Sequence, residues 1–204
     1  MSLPRVSLDV FADYVCPYCR LAEPALRELM QEDAALDVRW RSFELRPGIV
    51  PPLDPGAEYL KRVWEDRVLP LAAQVGVRMA MPPVQPRTRR THEAAHWARS
   101  IGRFDDYHAA ILAAFFERGE DIGEIDVLVS LADDLGLPHT DLRQALVSRA
   151  VEQAVVDDEE EAKELDVGSV PAFIADGKFG VIGVQPVEVL RELVQRARDA
   201  AAAR

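Results

Sequence analysis

Cysteine is nearly absent: of 204 residues only Cys16 and Cys19 carry a thiol. Two are too few for the disulfide framework of a small secreted domain, and too few for a four-thiolate zinc site. Basic residues are also scarce. Lys and Arg number 24 against 35 Asp and Glu, which gives a formal net charge of −11. Such a chain lacks the clustered Lys and Arg that neutralise nucleic-acid phosphates, and an anionic membrane surface repels it for the same reason. Long apolar runs are missing as well. The longest, about eight residues over Ala109–Phe116, falls far below the roughly 20 that a spanning helix needs. Met1–Arg5 leads straight into a strand-like pattern, with no basic stretch followed by an apolar segment, so a cytoplasmic location is expected. What is present is an ordinary globular mixture, 49 % hydrophobic and 29 % charged, long enough to bury a core as one domain or as one carrying a large insertion.

The hydrophobic pattern changes period along the chain. Val6–Phe11 alternates loosely and is rich in β-formers, which predicts a strand. From Leu21 the apolar residues Leu21, Ala22, Ala25, Leu26, Leu29 and Met30 share one helical face, with Arg20, Glu23, Arg27 and Glu28 on the polar face. Pro17 suits the first turn of that helix, and Pro24, deeper in, is expected to kink it. Leu36–Leu45 reads as a second strand, so the opening is a β-α-β unit with parallel strands and a right-handed crossover. After the Pro-rich stretch Pro47–Gly56 the period is helical in six segments: about Ala57–Gln74, Thr88–Ser100, Phe104–Glu117, Ile125–Leu135, Asp141–Val147 and Val151–Leu165. Trp64, Trp97, Tyr107, Phe115 and Phe116 have core spacing there, and the acidic run Asp157–Glu161 reads as a solvated helix face. Strand character returns in Ala172–Ala175 and Lys178–Ile182 around an Asp176-Gly177 turn, and Pro186–Ala203 closes with a helix.

The chemistry lies in Cys16-Pro17-Tyr18-Cys19, at the junction of the first strand and first helix. Free N–H groups and the helix dipole at that end stabilise a thiolate. Cys16, just ahead of the first turn, is the expected exposed nucleophile. Cys19, three residues on along the same face and nearer the core, is within disulfide reach of it. Two buried structural cysteines, or half a metal site, would be the plainer reading, but a proline at the helix start and a strand-to-helix junction favour redox chemistry.

Three segments in order carry a family resemblance: Asp13-Tyr14-Val15-Cys16-Pro17-Tyr18-Cys19, Phe43-Glu44-Leu45-Arg46-Pro47, and Val170-Pro171-Ala172-Phe173 with Gly183-Val184-Gln185. The chain resembles the DsbA-like branch of the thioredoxin superfamily, and within it the cytosolic FrnE-like group. That resemblance implies an α/β thioredoxin fold (β-α-β, then β-β-α) interrupted by a large all-helical insertion. Residues 1–56 and 166–204 would form the thioredoxin-like domain, and residues 57–165 the helical domain. It implies a cis peptide between Val170 and Pro171 that sets the loop beside Cys16, with Pro17, Tyr18, Val170 and Pro171 along the substrate groove. No bound cofactor or metal is expected beyond the redox-active Cys16–Cys19 disulfide. The expected partners are a protein or small molecule carrying a disulfide or thiol and an unidentified electron donor or acceptor. Tyr18 stands where the family commonly has Trp, and Arg20-Leu21 also depart from its pattern, so potential and substrate surface do not transfer.

Asp13, three residues before Cys16, could exchange the proton lost during resolution, or could cap the helix or bond loop amides. His92-Glu93-Ala94-Ala95-His96 matches the zinc-protease pattern H-E-x-x-H, yet a catalytic zinc site needs a third protein ligand, and neither His108 nor His139 has a spacing tied to the pair. Surface or groove histidines are the expectation. Within the same fold the alternative activity is a glutathione-dependent isomerase or transferase of the kappa-class or chromene-carboxylate isomerase type, which usually has Ser at the first cysteine position. A partner-binding adaptor with an idle dithiol is a third reading.

Overall fold

The computed structural model describes residues 5–203, so Met1–Pro4, read above for a leader, lie outside the described residues. Strand β1 (Val6–Ala12) is central, and its two faces are set by strict period-2 alternation. Val6, Leu8 and Val10 point to one face, where helices α1 (Pro17–Glu32) and α9 (Val187–Ala202) bring Ala22, Leu26, Leu190 and Leu193. Phe11 points to the other, among Cys16, Cys19 and Ala162. Strand β2 (Leu36–Ser42) runs parallel to β1 in register Val6 with Leu36. Strands β3 (Ala172–Ala175) and β4 (Phe179–Ile182) are antiparallel additions, giving the order β2-β1-β3-β4. The β-α-β and β-β-α halves are thus placed as the period changes predict, and the fold is the mixed α/β thioredoxin type.

Strand β2 stops three residues before the expected Leu45. The Ser42 amide, the last of the strand, donates to Asp158 at 2.8 Å, Phe43 N–H still reaches Ala12 O of β1 at 3.1 Å, and Leu45 N–H turns to Asp13 at 2.8 Å. The chain therefore peels away over the end of β1, beside the dithiol. Helix α1 runs from Pro17 to Glu32 unbroken through Pro24.

Between β2 and β3 the chain is helical. The expected Ala57–Gln74 helix is three segments, α2 (Glu58–Val63), a π turn over Trp64–Val68, and α3 (Leu69–Val75). Pro70, which has no N–H and crowds the carbonyl four residues back, explains the widened turn. Then follow α4 (Arg89–Ser100), α5 (Phe104–Phe116), α6 (Ile125–Asp134), α7 (His139–Ser148) and α8 (Glu152–Glu164). Trp64, Trp97, Tyr107, Phe115 and Phe116 are all buried in their shared core, as their spacing predicts. Tyr14 and Leu21 join that same core, so the loop carrying the dithiol packs directly on the helices.

The acidic run in α8 is a solvated face only in part: Asp157 and Glu160 are exposed, as expected, and Asp158 is not. Asp158 is 2 % exposed and accepts from Ser42, Arg41 and His96, pinning α8 against β2. Glu159 accepts from Arg89. Opposite charges on neighbouring elements draw in these carboxylates, and no helical period reveals that.

Candidate active site

Cys16 is the N-cap of α1, in an extended conformation (φ −82°, ψ 112°), and Pro17 fills the first helical position, where no N–H is needed. The Cys16 carbonyl accepts from the amides of Cys19 (3.1 Å) and Arg20 (3.4 Å), while its own amide donates to Asp13 O at 3.1 Å. A tight turn thus presents both sulfurs at the head of the helix, and both cysteines are free thiols.

Neither cysteine is exposed, and this corrects the expected contrast between them: Cys16 is 4 % and Cys19 5 % exposed. Cover over Cys16 comes from the far end of the chain. Its thiol lies 3.7 Å from the Val170 carbonyl, and the Val170–Pro171 peptide is cis. Pro171 O in turn accepts from Gly183 N–H at 2.7 Å, tying the loop to the end of β4. Pro17 and Tyr18 are half-buried beside this junction, Tyr18 reaching both the helical core and the cysteine cluster.

Cys19 is marked out by its proton affinity and not by its exposure. Burial pushes the Cys19 thiol well above its ordinary value, and its hydrogen bond with Cys16 adds to this. A backbone hydrogen bond with Asp13 opposes the rise without reversing it. Cys19 is therefore a protonated thiol at neutral pH.

Behind Cys19 is a polar interior that sequence reasoning missed. Tyr14 Oη and His108 Nδ1 are 2.8 Å apart, His108 Nε2 is 2.9 Å from Glu23, and Glu23 also accepts from Arg20 and Arg27. Glu23 is 3 % exposed, although its helical position put it on the polar face. Its carboxyl would be raised by burial, but the His108 hydrogen bond and charge and the two arginines hold it below the ordinary 4.5. Asp13, 2 % exposed, gives one oxygen to Leu45 N–H and sets the other 3.4 Å from His92 Nε2. The loop-amide bond weighed for Asp13 is thus present.

The two histidines of the zinc-protease pattern are not surface residues. His92 is buried against the Tyr14 ring, centroids 5.2 Å apart, and His96 Nε2 lies between Ser42 Oγ and Asp158. Their imidazoles serve different partners. Among the described residues, no group of three or more His, Cys, Asp or Glu is arranged to hold a metal ion.

A family defined as a DSBA-like thioredoxin domain matches residues 7–195, nearly the whole chain and including the dithiol. The chain belongs to this family. A Bacillus subtilis relative, the uncharacterized protein YwbO, is 34 % identical over 176 residues, covering 83 % of this chain and 86 % of YwbO. Among solved structures, the probable DsbA oxidoreductase SCO1869 from Streptomyces coelicolor is similar at a TM-score of 0.82 and 25 % identity, covering 95 % of this chain and 90 % of that one. A 2-hydroxychromene-2-carboxylate isomerase superposes at a TM-score of 0.78 with 18 % identity, over 97 % of this chain and 99 % of its own. At that identity the second likeness is one of fold alone.

Proposed function

We propose that this protein is a dithiol–disulfide oxidoreductase in which Cys16 attacks and Cys19 resolves. The observation that carries the reading is the asymmetry of the pair. Cys16 caps the helix N-terminus and lies against the Val170 carbonyl, whereas Cys19, one turn into the helix, is held protonated by burial. In the reducing direction the Cys16 thiolate forms a mixed disulfide, Cys19 displaces the substrate thiolate, and a Cys16–Cys19 disulfide remains. A substrate lies along Pro17, Tyr18, Val170 and Pro171, and has to displace the Cys16 thiol from the Val170 carbonyl.

The substrate class in this reading is a protein or small molecule carrying a disulfide. The setting is the cytoplasm, where thiol pairs are kept reduced. Retention of both cysteines supports exchange chemistry over a glutathione-dependent isomerase. The test is dithiothreitol-driven insulin reduction by the native protein and by Cys16→Ser. Turnover that needs Cys16 supports the proposal; precipitation of insulin at the uncatalysed rate by both would refute it and leave an adaptor.

A further inference from the structure

Two carboxyl groups meet one guanidinium beside the thiol cluster. Arg89, the first residue of α4, sets Nε 2.5 Å from Glu44 Oε1 and donates from Nη2 to Glu159 at 2.9 Å. Glu44 and Glu159 also share a hydrogen bond, which two carboxyl groups form only when one of them holds a proton. Glu44 is the buried member, 7 % exposed, and neither its Oε1 nor the third Arg89 nitrogen, Nη1, has an aligned hydrogen-bond partner. One positive charge therefore faces two carboxyl groups where solvent cannot make up the difference, and a proton on Glu44 restores the balance.

We propose that Glu44 and Glu159 form an acid-closed clasp on the cover over Cys16: with its proton Glu44 donates to the Glu159 carboxylate and holds the cover shut, and without it the two repel and the cover loosens. The residues beside the pair connect it to the thiols. Phe43 adjoins Glu44, Ala162 stands three residues beyond Glu159 on α8, and both pack in the cluster that holds Cys16, Cys19 and Val170. Leu45, on the other side of Glu44, gives its amide to Asp13 in the loop before the dithiol. A bond between the two glutamates thus ties together two segments that close over Cys16. The clasp is a property of the fold; that loosening it admits substrate rests on the thiol-exchange reading.

The charges around Glu44 set the direction of the response. Arg89 and His92 face it from α4, and Glu159 from α8. Asp13 lies 3.4 Å from His92, and Arg89 also acts on Glu93, one turn along its own helix. Burial pushes the Glu44 carboxyl up to about 7; Arg89 and His92 draw it down without cancelling that rise, and Glu159 adds to it. The closed clasp therefore keeps a proton that the open one, with Glu44 in water, releases above the ordinary 4.5. Opening is then favoured by up to about tenfold per unit of pH between those two values, and gains nothing more above the higher one.

The test uses the reduced full-length protein, native and Glu44→Gln, with 2,2′-dipyridyl disulfide as a probe that still reacts in acid. The amide of Glu44→Gln donates to Glu159 at every pH, so that variant keeps the clasp closed. Initial thiopyridone release, followed by stopped flow, reports attack by Cys16, and in the ratio of native to variant rates the ionisation of Cys16 and of the probe cancels. The ratio should be smallest at about pH 5, rise by roughly tenfold toward about pH 7, and stay level above it. A ratio that is flat over this range overturns the proposal. Should the variant not fold, hydrogen exchange in the native protein decides: the amides of α8, measured relative to those of α6, should lose protection over the same range, and a constant relative protection overturns the proposal equally. Loss of α8 protection in a protein that releases no thiopyridone at any pH would uphold the clasp and sink the thiol-exchange reading instead.

Discussion

Tyr14 and His108, 94 positions apart in sequence, meet hydroxyl to imidazole at 2.8 Å beneath the dithiol loop. A carboxylate only accepts, so the His108 nitrogen facing Glu23 carries hydrogen, and the other ring nitrogen faces the Tyr14 hydroxyl. The chain joins the loop before α1, helix α5 and helix α1 in one buried line. Tyr14→Phe removes the hydroxyl and strands a buried imidazole nitrogen. It should lower unfolding free energy by about 1–3 kcal/mol in urea titration, with Cys16-dependent insulin reduction preserved.

Glu23 makes that line sensitive to acid. Its carboxyl sits below 4.5 in the folded protein because His108, Arg20 and Arg27 outweigh the effect of burial. A depressed carboxylate contributes stability that is complete above its unfolded value and is lost as pH falls through the folded one. The unfolding free energy should therefore drop as pH falls below about 4.5. In Glu23→Gln the drop should be shallower and the neutral-pH stability lower. An unchanged acid limb would show that other carboxylates dominate.

The elements and the dithiol were legible in the sequence because both are local signals. Alternation in Val6–Phe11 set the central strand, and Cys16-Pro17-Tyr18-Cys19 announced itself at a strand-to-helix junction. Buried charge was not legible. Glu23 and Asp158 occupy helix positions that look solvent-facing, and their partners His108 and His96 stand 85 and 62 residues away. The same holds for cover over Cys16, since the Val170 carbonyl approaches from 154 residues downstream. Periodicity reports which face of an element is apolar, and says nothing of which charges on the other face will be matched by a neighbour.

Alkylation should separate the two thiols despite their equal burial. Cys19 is held protonated at neutral pH, and only a thiolate reacts with iodoacetamide. Peptide mapping after brief treatment of the reduced protein should find Cys16 modified first, with Cys19 labelled only at strongly alkaline pH or after unfolding. Preferential labelling of Cys19 would reverse their assigned roles.

Trapping follows from the same roles. Cys19→Ser keeps the attacker and loses the resolver, so it should accumulate mixed disulfides on non-reducing gels after incubation with a disulfide substrate. Cys16→Ser should accumulate none, because its remaining thiol is buried and protonated. Equal trapping by both variants would exclude a single nucleophile.

Asp158 links stability to the cover over the dithiol. Its carboxylate accepts from the Ser42 amide, Arg41 and His96, and these partners hold it below its ordinary value against the opposing effect of burial. Removing one partner from a buried charged cluster typically costs about 3–5 kcal/mol, because the remaining charges stay buried. Asp158→Ala should therefore destabilise the protein by about that much near neutral pH, where the native carboxylate is ionised. Asp158→Asn still offers an oxygen to Ser42 and should cost less. The consequence for chemistry runs through α8, whose Ala162 packs in the same cluster as Cys16 and Cys19. Once α8 is no longer pinned to β2, that cover opens more often, and alkylation of the dithiol should become faster in Asp158→Ala at temperatures well below its melting transition. A variant that melts earlier but alkylates at the native rate would show that Asp158 supports the fold without guarding the thiols.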